Sequence, residues 1–225
     1  MHESDKHSLG DIELSPVNIT KKDVLGEDAF VLYFKKFSDF HAGQVIAISM
    51  LKDEPPRLYS ICSSPHEGEI AILFKVNPNG FLTPRLAQLE IGGQMMVSKA
   101  FGSFYGSPEA DYWIAAGTGI APFVSMQKLG LANNKTLIHG GRNEASFFFA
   151  HLFQNTKGLN YIPCSSVMDK AGYYQGRLTE YIKKEALDTK KKYFVCGSSE
   201  MVVQVRDLLI SRGVEYENII AEIYF

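Results

Sequence analysis

A chain of 225 residues is long enough to bury a core of its own, as one large domain or two smaller ones. With 45% hydrophobic and 21% charged residues it is neither a disordered tail nor a low-complexity array. A net charge of -2 argues against nucleic-acid binding driven by bulk charge, leaving only local basic patches open.

Cys62, Cys164 and Cys196 are far apart in sequence, with no CxxC pair and no four-cysteine iron–sulfur pattern. The polar, charged opening Met1–His7 lacks the apolar core of a signal peptide. The longest mainly apolar stretch, Tyr112 to Met126, is too short for a membrane span and carries Gly117, Gly119 and Pro122. A cytoplasmic protein without a membrane span is expected. His2, His7, His41, His66 and His151 show no metal-ligand spacing, so no metal is expected.

In chain order, the first half reads as short strands separated by turn residues: Ala29–Lys36, Gln44–Met50, Arg57–Ser60, Glu69–Val76 and Gln94–Lys99. That pattern suggests an antiparallel barrel or sandwich. A joint is expected over Phe104–Asp111. Beyond it, strand-like runs at Tyr112–Ala116, Lys135–Gly140, Leu159–Ser165, Lys192–Cys196 and Asn218–Tyr224 alternate with helical patterns. Those helices are expected at Ala121–Ala132, Ser146–Asn155, Arg177–Ala186 and Glu200–Arg212, the last stopped by Gly213. Such alternation implies a parallel sheet covered on both faces, which binds ligands outside the carboxyl ends of its strands.

Four segments could carry chemistry. In Asn79–Leu89, Gly80 permits a tight turn, and Thr83-Pro84 reads as an N-cap and first helical residue. This is either an ordinary capped helix or an anion site. Gly117-Thr-Gly-Ile-Ala-Pro-Phe123 follows a strand and opens a helix, as phosphate-binding turns do, but lacks the GxGxxG spacing. Arg57-Leu-Tyr-Ser60 places a cation and an aromatic ring on one face of a short strand, suited either to an anionic planar ligand or to an exposed core strand. Glu222-Ile-Tyr-Phe225 ends the chain in two aromatics that need a packing partner.

The order RLYS, NGFLT, GTGIAPF, HGGR, CGSSEM and EIYF resembles the ferredoxin–NADP reductase family, bacterial type, from about residue 12 onward. The resemblance implies a two-domain β + α/β fold. An antiparallel Greek-key FAD-binding β-barrel would span residues 1–107, and a parallel-sheet α/β NADP(H)-binding domain 108–225. It also implies an FAD-dependent enzyme that passes a hydride from NADPH to flavin N5 and then single electrons to ferredoxin or flavodoxin, or the reverse.

The family's site roles fall on matching residues. For FAD, Arg57 would pair with a phosphate, Tyr59 would stack on the flavin beside Leu58, and Ser60 would bond near N5. Gly80, Phe81, Leu82 and Thr83 would cradle the pyrophosphate. Tyr224 would cover the other flavin face, and Phe225 would pack near the adenine. Thr118 would lie between flavin and nicotinamide. For NADP, the residues are Gly117, Thr118, Gly119, Arg142, Ser166, Arg177, Cys196, Gly197 and Met201. Ser60, Cys196, Glu222 and Tyr224 form the catalytic set; Cys196 would sit beside nicotinamide C4 and Glu222 would assist proton movement. Cys196 also reads as a buried core residue and Glu222 as a solvated carboxylate.

Val167 stands where many NADP-specific relatives carry arginine. Arg142, Arg177, Ser166 and a substitute charge from Lys170 favour NADPH, while Asp169 keeps NADH open. The expected partner is a separate ferredoxin or flavodoxin, met by a monomer. The runs Lys21-Lys22, Lys35-Lys36 and Lys190–Lys192 read as solvated surface or as docking charge for an acidic carrier. Two rival readings are a reductase for an oxygenase, ferric siderophore or free flavin, and a non-autonomous electron-transfer subunit.

Overall fold

The computed structural model describes residues 12–224, so Phe225 lies outside the described residues. The chain divides into two compact units between Ser103 and Phe104, four residues before the expected boundary.

The first unit is a six-stranded antiparallel sheet in the order β4-β3-β6-β1-β2-β5. Its strands are β1 Leu14–Val24, β2 Ala29–Lys35, β3 Val45–Ser49, β4 Arg57–Ser60, β5 Glu69–Lys75 and β6 Gln94–Ser98. Where β4 ends, an Ile61–Ile72 bridge and a 2.8 Å bond from the Cys62 N–H to the Ala71 carbonyl join the two outer strands and close a barrel. Inward residues, among them Leu32, Phe34, Ile46, Ile48, Ile72 and Phe74, fill it. The short helix α1, Thr83–Gln88, inserts Leu86 into the same core.

Strand β1 escaped the sequence reading. Of its eleven residues only Ile19 is buried, so the alternation that marks a half-buried strand is missing. It is held by backbone pairing to β2 and β6 on either side.

The second unit is a six-stranded parallel sheet in the order β10-β9-β8-β7-β11-β12. The strands are β7 Tyr112–Ala116, β8 Thr136–Gly141, β9 Asn160–Ser165, β10 Tyr174–Gln175, β11 Tyr193–Ser198 and β12 Ile219–Tyr224. Because β8 and β11 flank β7 on opposite sides, the chain reverses its winding there, and a crevice forms at such a reversal. Helices α4 Leu178–Lys184 and α5 Ser199–Ser211 pack on one face of the sheet through Leu178, Ile182, Val202, Val205 and Leu209. Gly213, at φ 86°, ends α5 in the left-handed turn that glycine tolerates.

Helix α2, Ala121–Lys128, begins where expected but stops four residues early. The helix expected over Ser146–Asn155 is broken. A 3-10 turn covers Glu144–Ser146, Phe149 takes a left-handed φ of 58°, and only α3, Ala150–Gln154, is helical.

The segment expected to be a joint is fixed to the second unit. Phe104 packs edge-on against Phe123 and Phe194 at 5.7 and 5.5 Å. The fully buried Lys135 ammonium donates to the carbonyls of Ser107, at 2.7 Å, and Glu109, and pairs with buried Asp111 at 3.4 Å. Burial pulls the Lys135 ammonium below its ordinary range, and Asp111 opposes that pull. Among the described residues, no helix is long and apolar enough to cross a membrane, and no group of three potential ligands could hold a metal.

Candidate functional site

In the barrel, β4 pairs with β3 alone over Arg57–Ile48, Leu58–Ala47, Tyr59–Ile46 and Ser60–Val45. Its first half is therefore an open edge. Arg57 and Leu58 are exposed, Tyr59 is half-buried with its ring edge-on to Phe74 at 6.4 Å, and Ser60 is 1% exposed. Among the described residues Arg57 has no carboxylate partner, so its guanidinium is available to an anion.

The turn before α1 is built by Asn77. Its carbonyl accepts the Gly80 N–H at 2.8 Å, and its side chain accepts the Asn79 N–H at 3.1 Å. Thr83 is not the N-cap expected: Leu82 holds that position, and the Thr83 hydroxyl instead accepts the Asn77 N–H at 2.9 Å. The threonine thus pins the turn to the helix start, a long-range bond that local capping rules do not anticipate. Leu82 and Tyr59 pack on the same core, while Phe81 is exposed beneath the Arg85 guanidinium. Arg85 is held in turn by both oxygens of Glu54 at 2.8 and 2.9 Å.

The second unit has a cleft of about 690 Å³ at the carboxyl ends of its strands, a size typical of small-molecule sites. Ala116 and Gly117 enter it from β7, Gly140 to Arg142 from β8, Ser166 and Val167 from β9, and Ser198, Glu200 and Met201 from the β11–α5 junction. Arg177 closes it at the start of α4. Arg142 and Arg177 are exposed there, and neither is paired with a carboxylate among the described residues.

Glycines make the room. Gly117 has φ 56° and leads into a 3-10 turn, Gly117–Ile120. A Cβ on Gly119 would stand 2.2 Å from the Cys196 carbonyl oxygen, so only glycine lets this turn lie against β11. The GTGIAPF turn and the Cys196-Gly197 step are thereby brought together. Register places Glu222 opposite Cys196, Ile223 opposite Gly197 and the Tyr224 backbone opposite Ser198. Cys196 and Gly197 are buried behind the cleft wall, whereas Met201 lines it.

Several expected charges are already engaged. Lys170 lies outside the cleft lining, paired with Glu144 at 2.6 Å, and this pairing lowers the Glu144 carboxyl and raises the Lys170 ammonium. Lys21 pairs with Asp23 at 2.8 Å, Lys22 donates to the Ala87 carbonyl at 2.7 Å, and Lys36 pairs with Asp39 at 3.1 Å. His139 is fully buried. Its Nδ1 lies 3.0 Å from the Tyr161 hydroxyl, its Nε2 has no partner among the described residues, and burial pushes the imidazole down to about 3. Burial likewise pushes the Cys164 thiol up to about 12, which keeps it protonated.

The family model of the oxidoreductase NAD-binding domain matches residues 113–207. The chain is 26% identical to the toluate 1,2-dioxygenase electron transfer component of Pseudomonas putida over 86% of its own length, and it spans only 62% of that protein. It is 28% identical to ferredoxin–NADP reductase A of Sorangium cellulosum, covering 80% of this chain and 76% of that one. A solved ferredoxin NADP+ reductase from Neisseria gonorrhoeae, with bound FAD and NADP, superposes with a TM-score of 0.85 at 17% identity. That match covers 96% of this chain and 100% of the other, and it carries the likeness of fold through both units. With the barrel, the reversed parallel sheet and these relatives in view, residues 113–207 match the oxidoreductase NAD-binding domain and the chain as a whole is similar to the ferredoxin–NADP reductases.

Proposed function

We propose that this chain binds FAD on its barrel and NADPH on its parallel sheet, and oxidises the nucleotide to supply electrons to a separate one-electron carrier, ferredoxin or flavodoxin. The observation that carries the reading is the cleft of about 690 Å³ at the sheet's winding reversal, bordered by two arginines that have no carboxylate partner among the described residues.

The residues on the barrel fit the flavin nucleotide. The Arg57 guanidinium, without a carboxylate partner among the described residues, a half-buried ring at Tyr59 and a tight turn at Gly80 supply the charge, flat surface and close backbone approach that it requires. When bound, FAD supplies a hydride acceptor that can release the pair as single electrons. Arg57 would neutralise a phosphate, Tyr59 would bear on the ring system beside Leu58, and Ser60 would donate to its polar edge. Gly80 to Thr83 would hold the pyrophosphate.

On the sheet, Arg142, Arg177 and Ser166 would bind the phosphates of NADPH, with Met201 bounding the cleft. Gly117 and Thr118 would form the floor under the nicotinamide, with Gly119, Cys196 and Gly197 packed behind it. Cys164 lines the cleft from β9, and burial pushes its thiol up to about 12, which suits a wall residue and not a nucleophile. Glu222, opposite Cys196, would hold a proton close to the reacting ring.

An anaerobic titration followed in the visible spectrum tests this. A yellow protein bleached by NADPH at lower concentration than by NADH is the expected result. A protein colourless after FAD reconstitution would overturn it. A second reading, delivery of electrons to an oxygenase, is favoured by the match to the toluate dioxygenase component over 86% of this chain. Turnover with a panel of carriers and oxygenase components separates the two.

A further inference from the structure

The three elements that form the phosphate-facing wall of the cleft meet at Ser165, the last residue of β9. It is 0% exposed and does not line the cleft itself. Its hydroxyl donates to the Arg142 carbonyl at 3.0 Å and accepts the N–H groups of Val167 at 3.3 Å and Met168 at 3.1 Å. One donor and two lone pairs are all a hydroxyl has, so nothing is left for a ligand. Its carbonyl accepts the Gly176 N–H at 2.8 Å, one residue before Arg177. In register it stands between Gly141 of β8 and Gln175 of β10.

We infer that Ser165 is a positioning residue for nucleotide binding, locking Arg142, the Ser166–Val167 turn and Arg177 into one wall before the ligand arrives. The inference rests on the nucleotide reading of the cleft. Two long, exposed arginines lose rotamer freedom on binding a phosphate, and a fixed backbone under each reduces the ordering that binding must supply. Ser165 touches no ligand atom; it acts through the backbone of Arg142, the turn and Gly176.

The test uses the full chain with FAD. Wild type, Ser165→Ala, Ser165→Thr, Arg142→Ala and the double variant Arg142→Ala/Ser165→Ala are titrated with NADP+ and with adenosine 2′,5′-bisphosphate by calorimetry. Steady-state NADPH oxidation by ferricyanide is measured alongside. Ser165→Ala is expected to weaken both ligands about tenfold and raise KM by the same factor, with kcat within about twofold. Ser165→Thr, which keeps the hydroxyl, should bind as wild type does. On the Arg142→Ala background the loss should shrink, because the two residues act as a unit.

Wild-type affinity in Ser165→Ala would overturn the inference, as would a loss of kcat at unchanged KM or an equal loss with and without Arg142. If Ser165→Ala does not fold, Ser165→Cys, close in shape but a weak donor, is read by the same criteria. A wild type that binds neither probe would overturn the nucleotide reading, and the role of Ser165 with it.

Discussion

The barrel and the parallel sheet prepare surfaces for a ligand in opposite ways. On the barrel, the candidate groups are side chains projected from the open edge of β4, with Arg57 and Leu58 exposed and Tyr59 resting on Phe74. On the sheet, space is made by leaving side chains out. A Cβ on Gly140 would meet Leu178 at 2.4 Å, one on Gly141 the Phe147 ring at 2.6 Å, and one on Gly119 the Cys196 backbone at 2.2 Å. An edge of side chains can be altered while the fold stands, but a site made of close backbone contacts shares its geometry with the core. Substitutions in the first unit should therefore change affinity, and substitutions in the second should change stability first.

The largest expected effect tests that contrast at Lys135. Lys135→Met leaves the Asp111 carboxylate buried without its cation and the Ser107 and Glu109 carbonyls without a donor, at a cost of about 3–5 kcal/mol. Urea unfolding should show the loss, and Lys135→Met/Asp111→Asn should recover part of it. Next is Gly119→Ala. Its methyl group meets backbone and not a yielding side-chain tip, so about 3 kcal/mol should be lost. Gly68→Ala, with open space around the added carbon, should unfold within about 0.5 kcal/mol of wild type. If Gly119→Ala were equally tolerated, the contrast between the two units would fail.

Tyr59→Ala is the matching test in the barrel. It should leave a folded protein that loses most of its flavin on dialysis, read from the ratio of visible to ultraviolet absorbance. The smallest effect is a slope. The His139 imidazole is held neutral by burial, down at about 3 against an ordinary value near 6.5. Between those values the unfolded chain binds one more proton than the folded one. The contribution is therefore fully present above about pH 6.5 and is lost as pH falls toward 3. Urea midpoints measured from about pH 7 down to about pH 5 should fall less steeply for His139→Phe, by one proton's worth of slope.

Much of the second unit was legible because each strand announces itself as a short apolar run and each helix by its spacing. Tyr112–Ala116 and Arg57–Ser60 stand where the residues alone put them. What escaped depends on long-range partners. β1 is a strand by pairing and not by pattern, and Thr83 bonds across six residues instead of capping its own helix. The helix expected at Ser146 breaks at Phe149, whose left-handed backbone no propensity rule foretells. Motif order pointed to Arg142, Ser166 and Arg177, which do share one cleft. The same order could not reveal Ser165, whose importance lies in the atoms it ties, nor that Glu144 would claim Lys170.

The Lys135 contacts also decide where this chain could be cut. The family match begins at residue 113, and a fragment begun there would lack Ser107, Glu109 and Asp111. It would carry a buried ammonium facing no oxygen, and a bare patch where Phe104 had covered Phe123 and Phe194. An excised nucleotide half should therefore start at Phe104. The eight residues that look like a linker are the floor on which the sheet stands.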